Sequence, residues 1–159
     1  MGKNKWLWKI GTALPIFVLL CFIFSFSEQT GEESAGLSGK IAYYIAQGES
    51  KLFLKKWSVE QVEDRAQSLQ FPVRKAAHMS EYALLSILFC IHLCAYDLTK
   101  KKVGAMALCF TIVCATGDEI HQLFVPGRSG QPLDVLIDSV GAFAGMGLFC
   151  FLSRSRKRT

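Results

Sequence analysis

Two stretches of the chain gather groups able to hold an anion, bind a cation or move a proton. The first, RKAAHMSEY, covers residues 74–82. His78 and Glu81 stand three residues apart and His78 and Tyr82 four apart, so a helix places imidazole, carboxylate and phenol on one face. The second, GDEIHQLFVPGRSGQPLDVLID, covers residues 117–138. Within it Asp118 shares a helical face with His121 and Gln122, whereas Glu119 points about 100° away. Asp134 and Asp138 are also four apart, at the start of a further helix whose dipole favours carboxylates in its first turn. Pro126-Gly127 marks a turn, and Arg128 follows in a glycine-flanked loop whose free backbone amides suit an anion.

Two kinds of chemistry fit this set. In a binding site, Arg128 holds phosphate or carboxylate through its planar fork, while His78, Glu81 and Asp118 orient the ligand by hydrogen bonds. In an enzyme, His78 acts as general base, oriented by Glu81 or Asp118. With Glu119, Asp134 and Asp138 added, oxygen and nitrogen ligands suffice for a divalent metal acting on a phosphorylated headgroup. No nucleophile stands out, because Ser80, Ser129 and Ser139 lack motif context and phosphate-loop glycine patterns are absent. Each residue alone also admits a structural role: His78 bonded to a carbonyl, Asp134 as a cap, Arg128 as a clamp on a carboxylate. Their common depth at one end of apolar segments favours a site, since ionisable groups near a membrane core are costly.

Those apolar segments must position the groups. The 159 residues form one domain, 51% of them hydrophobic, and the mean hydropathy of +0.29 is high for a chain with 18 Lys and Arg. The apolar residues are bunched into stretches at 7–26, 76–96, 103–124 and 135–152, each near the length of a bilayer crossing. The expected fold is an all-α membrane protein, a bundle of four transmembrane helices with an extra-cytoplasmic helical loop, 27–75, between the first and second. Lys3, Lys5 and Lys9 precede the first span. Lys100, Lys101 and Lys102 join the second to the third, and Arg154, Arg156, Lys157 and Arg158 follow the fourth. All three clusters fall on one side, which places both termini in the cytoplasm of a multi-pass cell-membrane protein. The net charge of +5 belongs to that topology signal, so nucleic acid is not an expected partner. Cys21, Cys90, Cys94, Cys109, Cys114 and Cys150 all lie within spans, where a thiol serves as a small hydrophobe.

The outer loop carries its own order. Thr30-Gly-Glu-Glu33 and Ser58-Val-Glu-Gln61 both have capping-box spacing. Ile41, Tyr44 and Ile45 recur at helical spacing, and Leu52, Phe53, Lys55, Lys56 and Trp57 form an aromatic and basic cluster suited to a membrane interface. A helix of about ten residues is expected after Ser58, with Pro72 breaking the chain before the second span. In the fourth span Gly141, Ala144 and Gly145 permit close helix packing, within the bundle or in a homo-oligomer.

RKAAHMSEYALLSIL followed by DEIHQLFVPGRSGQPLDVLIDSVGAFAG resembles the VanZ family of small bacterial membrane proteins. The family pattern is filled by Lys75, His78, Glu81, Tyr82, Asp118, Glu119, Gln122, Phe124, Arg128, Asp134, Asp138 and Gly141, while His121 has no place in it. FSFSEQTGEES resembles the first-span exit of many members. The resemblance implies a cell-envelope protein linked to glycopeptide, teicoplanin-type, susceptibility. Its implied partners are membrane lipids or a lipid-linked wall precursor. His78, Glu81, Asp118 and Glu119 are the candidate catalytic groups, and Lys75, Tyr82, Gln122, Arg128, Asp134 and Asp138 the candidate binding groups. A proton-coupled transporter is a third expectation, weakened by the few spans and the placement of ionisable groups at one end.

Overall fold

A computed structural model describes residues 2–155, with side chains described from Trp6 to Ser153. The side chains of Lys3, Lys5 and Arg154, and all of Arg156, Lys157 and Arg158, lie outside it. Among the described residues the ordered elements are five helices: α1 (Gly2–Ser27), α2 (Gly31–Leu52), α3 (Val59–Leu93), α4 (Lys100–Gln122) and α5 (Pro132–Ser155). Four of them, all but α2, are long and apolar enough to cross a membrane. Their outward faces carry large apolar side chains such as Phe17, Phe22, Val113, Phe143 and Phe151, as expected where lipid replaces water.

The central element is α3, against which α1, α2, α4 and α5 all pack. At 35 residues it is about 50 Å long, well beyond the roughly 30 Å of a bilayer core. Its charge pattern divides it. Glu60, Glu63, Asp64, Arg65, Arg74 and Lys75 lie in the N-terminal half, and beyond Lys75 Glu81 is the one Asp, Glu, Lys or Arg of the helix, with His78 and His92 as its imidazoles. The polar half pairs with α2 as an antiparallel arm in which Ala42 and Ala46 pack on Val62 and Ala66. Small residues there let the two backbones approach. Arg65 and Glu49 close the arm with a two-point ion pair at 2.8 and 3.1 Å.

Both capping boxes form. Thr30 and Glu33 exchange bonds at the start of α2, as do Ser58 and Gln61 at the start of α3. The Thr30 backbone N–H, then its hydroxyl, hold the Glu33 carboxyl below its ordinary value.

Pro72 does not break the chain. The short helix expected after Ser58 instead continues through Pro72 to Leu93. Proline within a helix costs about 3 kcal/mol, and tertiary contacts on both sides offset it here. Gln70 Nε2 donates to Ala35 O on α2 at 2.6 Å, and Val73 packs on the Ala42 cluster. Pro72 itself is exposed.

Glycines set the closest crossing. A Cβ added to Gly141 would lie 2.2 Å from Met79 O, and one on Gly145 would lie 2.1 Å from Ala83 O. The small-residue face of α5 thus serves packing within the chain, against α3.

Candidate functional site

The helix ends nearest the arm meet in one place. α1 and α2 are joined through residues 28–30, and α4 and α5 through residues 123–131. The two joints interlock. Gly31 N donates to Pro126 O at 3.1 Å, and a Cβ on Gly31 would overlap Gly127 O at 2.0 Å. Gly127 turns the chain with φ 71°, a conformation that favours glycine. Arg128 then reaches across. Its Nε donates to Gln29 O and its Nη2 to Phe26 O, both at 3.0 Å, so a cation sits on carbonyls at and just beyond the end of α1. Phe26 O also accepts the Gln29 N–H at 3.3 Å. The expected clamp is real, but it grips backbone carbonyls rather than a carboxylate. Burial lowers the proton affinity of the guanidinium, and Arg74 adds repulsion, against the pull of Asp118 and Glu119.

A polar cavity of about 200 Å³ opens beside this latch. It is lined by Arg74, Lys75 and His78 of α3, Gln122 of α4, Arg128 and Gln131 of the joint, and Asp134 of α5, with Phe71 and Leu133 at its edge. Three cations face one carboxylate, and that carboxylate, Asp134, is already paired with Lys75. A second cleft, of about 230 Å³, runs between α2 and α3 and shares Arg74, His78 and Arg128 with the first. Glu81 lines this second cleft.

Deeper in the bundle, carboxylates are buried. Asp118 is 1% exposed, Asp138 1% and Glu119 5%. Gln122 Nε2 donates to Asp118 Oδ2 at 3.1 Å, as their shared helical face predicts. The Asp118 carboxylate interacts electrostatically with His78, Glu81, Tyr82 and Asp138. Glu119 faces elsewhere: its Oε2 accepts the Gln131 N–H at 2.9 Å, tying α4 to the entry of α5. His78 Nδ1, Tyr82 Oη, Asp118 Oδ1 and both Asp138 oxygens are buried with no hydrogen-bond partner among the described residues. Buried polar atoms are normally bonded, so these mark a polar interior unlike an ordinary apolar core.

The structure therefore brings Lys75, His78, Gln122, Arg128 and Asp134 around one cavity. It sets Glu81 in the adjoining cleft and buries Tyr82, Asp118 and Asp138 behind both. His121 stacks edge-on to Phe24 of α1, with ring centroids 6.1 Å apart. Arg74 is the residue that motif reading passed over. It lines both clefts, and its position four residues before His78 was the signal. The metal expectation finds no preassembled donor set: among the described residues no three His, Cys, Asp or Glu side chains group to hold an ion.

No curated protein matches the chain, and no solved structure does. A family model described as VanZ/LLP1 matches residues 12–153, which includes all the helices' contributions to both clefts. The chain belongs to the VanZ/LLP1 family.

Proposed function

We propose that the chain recognises an anionic headgroup at the outer face of the cell membrane, on a lipid or a lipid-linked wall precursor. The observation that carries this reading is the cavity in which Arg74, Lys75 and Arg128 outnumber Asp134, with His78 and Gln122 also in its lining. Arg128 spends two donors on carbonyls but keeps others on its fork. Arg74 makes no hydrogen bond or ion pair among the described residues, so its guanidinium is available to a ligand. Basic loops on the opposite side of the spans orient the cavity outward, with both termini cytoplasmic. Occupying an anionic wall precursor there would lower access by teicoplanin-type glycopeptides, in keeping with the family resemblance.

Native mass spectrometry of the purified chain, equilibrated with phosphatidylglycerol and phosphatidylcholine of equal chain length, tests this. The parent chain retains the anionic lipid preferentially, and Arg74→Ala reduces that preference about tenfold, the loss of one charge-assisted contact. An Arg74→Ala chain with undiminished preference overturns the reading. Loss of headgroup mass from the retained lipid would instead favour a hydrolase or transferase. His78, whose buried Nδ1 has no hydrogen-bond partner among the described residues, would be the candidate base for one.

A further inference from the structure

We infer that the cleft between α2 and α3 holds a hydrocarbon chain of the same ligand, so that the chain recognises an intact anionic lipid and not a soluble headgroup. The inference rests on the anionic-headgroup reading and adds where the rest of the molecule lies. Much of the wall of the cleft is apolar, from Phe26 of α1, Leu37 and Ile41 of α2, and Val73 and Ala77 of α3, interrupted by Gln29, Ser34 and Ser38. Phe26, Leu37 and Ile41 stay 42%, 43% and 45% exposed, so they offer apolar area that folding of the chain leaves uncovered.

Charge sorts the two ends. Beyond the shared Arg74, His78 and Arg128, the cleft adds one carboxyl group, Glu81, and no further cation. The neighbouring cavity has three cations and one paired carboxylate, which favours an anion. Arg74, His78 and Arg128 border both spaces, so a phosphate held by the arginines leaves its chain at the mouth of the cleft. The cleft measures about 230 Å³, below the roughly 300 Å³ at which pockets begin to enclose drug-sized ligands. It takes part of one chain, with the remainder lying along the exposed apolar face of α2.

The chain length of the ligand tests this. Binding of glycerol 3-phosphate, dibutanoyl phosphatidylglycerol and dihexanoyl phosphatidylglycerol to the full chain in amphipol is measured by titration calorimetry, below the critical micelle concentration of each lipid. Affinity is expected to rise with chain length, by up to about fourfold for each methylene that becomes buried. Ala77→Trp fills the cleft from an exposed position and removes that rise, leaving glycerol 3-phosphate binding as it was. Ile41→Ser, which adds no bulk, reduces the rise. Equal affinity for all three ligands in the parent chain, or an undiminished rise in both variants, overturns the chain slot while the headgroup reading stands. If Arg74→Ala leaves glycerol 3-phosphate binding unchanged, the headgroup reading fails and takes the slot with it.

Discussion

Arg128 joins two duties that its sequence context suggested separately. It closes the α1–α2 joint onto the α4–α5 joint through two carbonyls, and it lines both clefts. Arg128→Ala removes two charge-assisted bonds and is expected to destabilise the protein by about 2 kcal/mol. Thermal unfolding in detergent should show a lowered midpoint, with Arg128→Lys intermediate because an ammonium cannot match the fork. An unchanged midpoint in Arg128→Ala would remove the latch as a stabilising element. At this scale the residue types and the i, i+3 and i, i+4 spacings were readable, as the Gln122–Asp118 bond shows. What spacing could not reveal was the partner across the fold. The carbonyls of Phe26 and Gln29 lie about a hundred residues away in the chain and carry no side-chain signature. Glu119, counted with the catalytic groups, holds a backbone amide of the next joint for the same reason.

Among the elements, α3 and α5 make the decisive crossing. Gly145→Leu would drive side-chain atoms into Ala83 O, where even a Cβ lies at 2.1 Å. Overpacking of this kind costs typically 1–3 kcal/mol or more. Protease susceptibility in detergent should rise, while the corresponding change at Gly147, whose Cβ meets nothing within 4 Å, should be tolerated. Similar behaviour of the two variants would argue against the close crossing. The spans were legible because hydropathy reports lipid exposure directly, and α1, α4 and α5 begin and end within a few residues of expectation. The continuity of α3 was not. Pro72 is a local signal for a break, and what overrules it is packing by α2, an element some thirty residues earlier in the chain.

For the whole molecule, the arm formed by α2 and the first half of α3 should project from the outer membrane face. Gly48 lies on the arm in open space, and Lys101 lies at the opposite ends of the spans. In a background without native cysteines, Gly48→Cys is expected to react with a membrane-impermeant maleimide in intact cells. Lys101→Cys should react only after permeabilisation. The reverse pattern would invert the topology and put both clefts on the cytoplasmic side.

The latch also has a meaning in time. Phe26 and Gln29 leave the ribosome well before Arg128, and the Gly31–Pro126 bond spans nearly the same stretch of chain. The arm can pair as soon as α3 is made, since its contacts are comparatively local. The joint between α1 and α2 can be locked only after α4 has been inserted and its exit loop delivered to the same side. Closure of the latch therefore coincides with assembly of both clefts, so a partly inserted chain has neither of them formed.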